Sequence, residues 1–391
     1  MDRNDTVVNL STRATFITNF LPPYRVDLFR ELVSHPELDV RILALAQSEE
    51  TRDWKAGRDV DLPLSTLRGR HLYSRRFEFP LHLSRDVSMT LGAQRPDVIV
   101  IGGWDQPAYW AAARFARRFR VPLVLWNGST NASRVRNGRI FDAARRWLVR
   151  QSSAYVAYGS LARDYLTDLG AEVERVHVST NTVNVREIGE RVARVRAAPG
   201  FVEERRRFPN LLAVFVGRLV SLKRLDIVID ALARVGSPEV GLLVVGDGRL
   251  RAELEARAHH LGVTVRFEGF KEPEDVDRYR ALADIAVIPS DREAWGLVVN
   301  EALAAGLYAL ASDRVGSGRD LLDSEQRGAV VAPNDLQAWA DVLEKTRRNR
   351  NAIVSARDSR SVWALQELSI ARAADGIVEA VDDARRRGSR R

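Results

Sequence analysis

The stretch Ile288-Pro289-Ser290-Asp291-Arg292-Glu293-Ala294-Trp295-Gly296-Leu297-Val298-Val299-Asn300-Glu301-Ala302-Leu303 changes its hydrophobic period part-way along. A short apolar strand ends at Pro289, and a helical pattern begins near Gly296. The free N–H groups and dipole of such a helix would face the strand-end cleft and suit a phosphate. Gly296 lets a ligand approach the backbone closely. Glu293, on the loop before the helix, would reach a neutral hydroxylated group, and Glu301 lies more than a turn into the helix. Two carboxylates flanking a phosphate-binding helix start suit sugar hydroxyls on either side of a diphosphate. The plain alternative is N-terminal charge on an amphipathic helix.

Working outward, the same strand-then-helix grammar recurs. Strand candidates in the first half are Ala14–Thr18, Asp39–Ala46, Asp97–Gly102, Val121–Trp126, Ser153–Tyr158 and Arg175–Ser179. In the second half they are Leu211–Val216, Val240–Gly246, Val263–Gly269, Asp284–Pro289 and Leu307–Ser312. Most are apolar on both faces, as strands covered by helices on both sides must be. The class is α/β with parallel sheets and right-handed crossovers, and nothing reads as a run of hairpins. Gln47 to Ser84 reads as a long surface excursion. The charged stretch Val183 to Arg207 interrupts the series and marks a domain boundary. This predicts a first domain over 1–185, a second over 186–367, and an amphipathic last helix over 368–391 that joins the first domain.

Two further turns sit at strand ends, where open parallel sheets bind ligands. Gly217 ends a strand, and Arg218 and Lys223 follow five residues apart, a planar fork and a point charge suited to clamping a diphosphate. A solvated Arg and Lys at a helix start is the alternative. Val245-Gly246-Asp247-Gly248 is a strand followed by a tight turn, with too few glycines for a complete dinucleotide fingerprint.

Composition narrows the chemistry. The chain has 391 residues, 45% hydrophobic and 29% charged, with no cysteine. At about 150 residues per domain, two domains are expected. Disulfides, zinc fingers and a cysteine nucleophile are excluded. The six histidines lack metal-ligand spacing. Asp59-Val60-Asp61 and Asp275-Val276-Asp277 have Asp-x-Asp spacing but read as charged surface. No apolar run approaches the roughly 20 residues of a membrane-spanning helix, and Met1 to Thr12 is too polar for a signal core. A cytoplasmic protein is expected. Net charge is +8, and Arg114 to Arg150 holds ten arginines against one acid, Asp142, so that segment alone carries +9. Five more arginines lie between Arg385 and Arg391. Such charge attracts phosphates, anionic membranes or nucleic acid.

From Val214 to Leu322 the sequence resembles the C-terminal half of the retaining GT-B glycosyltransferases placed in family 4. The shared features are Gly217-Arg218-Leu219 with Lys223, Gly246-Asp247-Gly248, Phe267-Glu268-Gly269-Phe270, Ala283-Asp284, and Glu293 to Glu301 opening a Glu-Ala-rich helix. The resemblance implies two Rossmann-like domains facing across a cleft. It further implies a hexose or N-acetylhexosamine moved from a nucleotide-sugar, UDP-sugar favoured, to an acceptor hydroxyl with retention. In that frame Arg218 and Lys223 neutralise the diphosphate, and Glu293 contacts donor-sugar hydroxyls. Glu301 holds the ribose, while Trp295, Gly296, Leu297 and Val298 line the donor with Gly217 and Gly246. Phe270 faces the base. No metal and no further cofactor are expected.

The first half matches less closely. The family's Gly-rich first turn is replaced by Asn19-Phe20-Leu21-Pro22-Pro23-Tyr24-Arg25, and its usual histidine after the fourth strand by Gly102-Gly103-Trp104-Asp105-Gln106. Gly102, Gly103, Trp104 and Asp105, with Asn127, Ser129 and Thr130 at the next strand end, are the acceptor-side candidates. The acceptor would be a small molecule, a lipid or a glycan. Helix candidates Pro107–Arg120 and Gly138–Gln151 carry Tyr109, Trp110, Phe115, Ile140, Phe141 and Trp147 on faces read as packing on the sheet. Their arginine surplus suits peripheral contact with an anionic membrane face. A GT-B sugar-nucleotide epimerase, or a basic nucleic-acid-binding protein, are the competing readings. No recognised nucleic-acid motif accompanies the charge.

Overall fold

A computed structural model describes residues 11–47, 61–74, 79–133 and 138–388. The first half builds strands β1 (Thr12–Thr18), β2 (Leu38–Ala44), β3 (Leu64–Thr66), β4 (Gly69–Ser74), β5 (Phe79–Ser84), β6 (Val98–Ile101), β7 (Leu123–Asn127), β8 (Ala154–Ala157) and β9 (Val176–Val178). The second builds β10 (Leu211–Val216), β11 (Val240–Val245), β12 (Val265–Gly269), β13 (Ile285–Ile288), β14 (Tyr308–Ser312) and β15 (Gly328–Val331). One parallel sheet runs β3-β2-β1-β6-β7-β8-β9, and the other runs β12-β11-β10-β13-β14-β15. In each, strand order reverses beside the first strand, between β1 and β6 and between β10 and β13. A ligand crevice opens outside the carboxyl ends of the strands at such a reversal.

The strands are apolar on both faces because helices cover both. Val98–Ile101 and Leu211–Phe215 are buried at every position. On the first sheet, Leu28, Phe29 and Leu32 of helix Pro23–Ser34 share one apolar layer with Ala373, Ile377, Ala380 and Val381 of helix Ile370–Gly388. The last helix therefore packs on the first half of the chain. Gly376 permits the approach, since a Cβ there would lie 2.9 Å from the Val178 carbonyl oxygen. In the second half, Val185, Ile188 and Val192 of helix Val185–Ala197 reach one core, so the charged interruption is itself helical. Asp284, fully buried before β13, accepts from Arg205 at 2.6 Å and from the Leu212 backbone N–H at 3.0 Å.

Three expectations need correction. The excursion from Gln47 to Ser84 is structured where it is described. Leu64–Thr66 extends the first sheet, and β4 and β5 form an antiparallel hairpin. The hairpin's polar, mixed strands hide from a periodicity argument. Strand β15 also escaped notice, being short and flanked by charge. Finally, Ile140 and Phe141 do not pack on the sheet: they are 83% and 44% exposed, because they sit at the solvent side of the first turn of helix Arg139–Gln151. Arg134, Arg136, Arg390, Arg391 and the Asp59-Val60 pair lie outside the described residues. No helix among the described residues is long and apolar enough to cross a membrane.

Candidate active site

The second sheet's carboxyl ends bring the predicted residues together. The turns after β10 and β11 touch backbone to backbone: a Cβ on Gly246 would lie 1.9 Å from the Gly217 carbonyl oxygen, with Gly246 at φ +141°. Glycine here is a requirement of chain packing before it is a matter of ligand access. Arg218 is exposed on that turn. Lys223 follows in a short 3₁₀ turn, and its Nζ donates to Glu293 Oε2 at 2.6 Å. This contact spans the crevice at the β10–β13 reversal, because Glu293 is on the loop after β13. That loop is fixed by a short parallel bridge to Val315, and the Glu293 N–H donates to the Arg314 carbonyl at 3.1 Å.

Helix Leu297–Ala304 starts at Gly296, whose φ of +94° excludes most side chains. Among the described residues no side chain caps this start, and its first turn holds no acid. Such a start leaves its first N–H groups without side-chain partners, although the Val299 N–H donates to the Gly296 carbonyl at 3.0 Å. Leu297 and Val298 are half-buried there. Phe270 stands 66% exposed after β12, at the far side of the same face. Trp295 departs from expectation: it is 4% exposed, and its indole N–H donates to Asn300 Oδ1 at 3.0 Å. The ring belongs to the core and presses on Gly159 from the first half, and the Trp295 carbonyl accepts from the Ser317 N–H at 2.8 Å.

Glu301 is held by the Arg280 guanidinium, which also bonds Asp277 at 2.6 Å. Burial pushes the Glu301 carboxyl above its ordinary range, against the pull of Arg280. Asp277 is therefore not charged surface. It is 1% exposed and anchors both Arg280 and Arg191. The signal available in the sequence was the i, i+3 spacing of Asp277 and Arg280 on helix Pro273–Leu282.

The first sheet offers a polar network at its own reversal. Asp105 Oδ2 accepts from Asn19 Nδ2 at 3.2 Å, and the Tyr109 hydroxyl donates to Asn19 Oδ1 at 2.6 Å. Gln106, fully buried, accepts from the His82 backbone N–H at 2.9 Å and ties the hairpin to this turn. Gly102 lies under the Tyr109 hydroxyl, and Gly103 stands at φ +137° against Asp105. Trp104 packs edge-on against Tyr165 at 5.8 Å. Asn127 donates to the Ser129 carbonyl at 3.3 Å, and Thr130 exchanges hydrogen bonds with Ser133 in a local turn. These two side chains are spent on shaping the loop. The two halves meet here: the Ser160 N–H donates to Asp320 Oδ2 at 2.8 Å, and Arg319 pairs with Asp164 at 3.0 Å.

A family profile described as Glycosyl transferases group 1 matches residues 202–359, and one described as Glycosyl transferase 4-like domain matches residues 22–182. The D-inositol 3-phosphate glycosyltransferase of Xylanimonas cellulosilytica is 32% identical over 285 residues, covering 66% of this chain and 67% of that protein. The chain belongs to the group 1 glycosyl transferases. A glycogen synthase of Mycobacterium tuberculosis is 29% identical over 259 residues, 63% of this chain and 59% of its own length. Among solved structures, Anabaena HepE in complex with UDP superposes with a TM-score of 0.73 at 18% identity, covering 95% of this glycosyltransferase and 99% of HepE. The sucrose-phosphate synthase of Thermosynechococcus elongatus superposes at 0.70 and 17% identity, covering 94% and 98%. The transferase has the GT-B fold, two Rossmann-like halves with the strand-end crevice of each at the switch point.

Proposed function

We propose that this glycosyltransferase takes a nucleoside diphosphate sugar, with a UDP-sugar favoured, and passes a hexose or N-acetylhexosamine to an acceptor hydroxyl with retention and without a metal. The observation that carries this is the Lys223–Glu293 contact across the β10–β13 crevice, beside a helix start that no side chain caps among the described residues. The HepE complexes with UDP and UDP-glucose support the choice of donor. In this reading residues 186–367 receive the donor, and residues 1–185 with the terminal helix receive the acceptor.

The bond from the sugar's anomeric carbon to the diphosphate oxygen breaks, and the acceptor oxygen bonds to the same face. The acceptor's proton passes to the leaving phosphate. Arg218, Lys223 and the Leu297 and Val298 N–H groups stabilise the charge that grows on the diphosphate, a task for preorganised dipoles and cations. Glu293 holds a sugar hydroxyl and positions Lys223. Glu301, presented by Arg280, accepts from the ribose. Gly217 and Gly246 let the two turns lie close under the donor, and Phe270 offers a face to the base. On the acceptor side, Gly102, Gly103 and Trp104 shape the turn, Asp105 is the polar group at the first sheet's reversal, and Asn127, Ser129 and Thr130 form the neighbouring wall.

The acceptor side also carries a basic face. Arg114, Arg117, Arg118, Arg120, Arg146 and Arg150 are exposed, with Phe119, Ile140 and Phe141 beside them. Apolar side chains amid arginines suit the headgroup boundary of an anionic membrane, where a lipid-linked acceptor would be presented. The test of the function is a thermal-shift screen against UDP, GDP, dTDP and ADP, followed by product analysis with the stabilising nucleotide's sugars. Stabilisation by UDP and transfer that persists in EDTA are expected. Stabilisation by none of the four, or activity lost in EDTA and restored by Mn²⁺, contradicts the donor or the metal-free route respectively.

A further inference from the structure

Arg25 lies in the first turn of helix Pro23–Ser34, immediately beyond β1, and is 9% exposed. Its guanidinium stands 4.5 Å from the centre of the Trp126 ring, and 5.9 and 5.8 Å from those of Tyr24 and Tyr158. One Nη2–H donates to the Tyr158 hydroxyl, while the buried Nε has no partner among the described residues. No carboxylate pairs with Arg25 among the described residues. Arg145 and Arg280 each hold an aspartate, and Arg360 and Arg196, which pair with no carboxylate among the described residues, donate instead to backbone carbonyls; Arg25 has a tyrosine hydroxyl and aromatic faces. Burial disfavours this cation, and the neighbouring tyrosines Tyr158 and Tyr24 favour it, but no anion of the protein neutralises it among the described residues. The site disfavours it further. The start of a helix is its positive end, and this helix has no acid in its first turn.

The cage also lies between the halves of the molecule. Trp126, next to last in β7, belongs to the core under the first sheet. Tyr24 and Tyr158 pack against the second half's core as well. Tyr158 follows β8 and lies flat over Gly128, where a Cβ would meet the ring at 2.1 Å. Arg25 is thus placed at the carboxyl ends of β1, β7 and β8, beside two tyrosines that also pack against the second half.

We propose that Arg25 is the anion receptor of the first half of the cleft, and that a phosphate group of a reactant supplies the counter-charge that the protein withholds. The phosphate belongs either to the donor's diphosphate or to the acceptor. This rests on the glycosyltransferase reading above for the identity of the reactants, but the receptor itself is read from the cage.

The test uses the full chain and its Arg25→Met variant, which keeps side-chain length and fills the aromatic cage. Calorimetric titration is made with UDP, with uridine, and with inorganic phosphate on the UDP-saturated protein, and melting temperature is recorded for both proteins. If the anion is the donor's, Arg25→Met loses about tenfold or more in UDP affinity while uridine binding is unchanged, as expected for one charge-assisted contact. If it is the acceptor's, UDP affinity holds and the phosphate titration loses that factor instead. Either result supports the receptor, and the melting temperature should hold or rise, because an uncompensated charge has been replaced by an apolar group. A melting temperature that falls while both affinities stay within twofold makes Arg25 a structural latch and overturns the proposal. Should Arg25→Met not fold, the latch is likewise the answer. Wild-type protein that binds phosphate but not UDP refutes the nucleotide-sugar reading and leaves the receptor standing.

Discussion

Lys223 and Glu293 meet at 2.6 Å with roughly a fifth to a quarter of each side chain exposed. An ion pair so placed is worth about 0–1 kcal/mol to stability. Its geometry matters more than its energy, because it fixes both groups at the point where sheet order reverses. Glu293→Gln should therefore leave the melting temperature nearly unchanged and UDP affinity within several-fold, while transfer falls about 10²–10³-fold, as for loss of one preorganised group. A steady-state rate near wild type would remove Glu293 from the reaction. Glu301→Ala should act differently, weakening UDP binding by about 1–3 kcal/mol through unpaired ribose hydroxyls. An unchanged UDP titration would count against the ribose role. Glu293 and Glu301 were legible in the sequence because both lie on one strand-to-helix passage. Arg280 and Arg25 were not, because their partners Glu301 and Tyr158 lie 21 and 133 residues away. Trp295 misled for the opposite reason: a residue inside the motif spends its ring on the core.

At the scale of elements, the parallel strands announced themselves through apolar runs buried on both faces. The hairpin β4–β5 did not, because its strands mix leucines with Arg70, His71, His82 and Ser84. It carries a measurable signature. His82 Nδ1 lies 2.9 Å from His71 Nδ1, and burial, helped by the His71 charge, lowers the His82 pKa from 6.5 to about 4. The folded hairpin then binds fewer protons than the unfolded chain between pH 6.5 and 4. Stability is full above that window and lost as pH falls through it. The melting temperature of wild type should drop relative to His82→Gln from pH 6.5 to 4, and the two profiles should run parallel above it. Parallel profiles throughout would show that His82 is protonated as easily in the fold as outside it.

At the scale of the whole molecule, two sheets with the same order of reversal place two crevices at the carboxyl ends of their strands, and the Ser160–Asp320 and Arg319–Asp164 contacts bring these ends together. The second crevice was readable residue by residue. The first was not, since its polar groups come from β1, β6 and the hairpin at once. The basic face predicts sedimentation with anionic vesicles at low salt, weakening as salt rises and lost when Arg114, Arg117, Arg118 and Arg120 become Gln. Failure to sediment at any salt would leave these arginines as solubilising surface. In the proposed reaction the second crevice grips a nucleoside diphosphate through Arg218 and Lys223. The direct measurement is calorimetric titration of UDP and of uridine into wild type and into the double variant Arg218→Ala, Lys223→Ala. Wild type should bind UDP well above uridine, and the double variant should lose this preference. UDP bound no better than uridine by wild type, or equally well by both proteins, would contradict this grip.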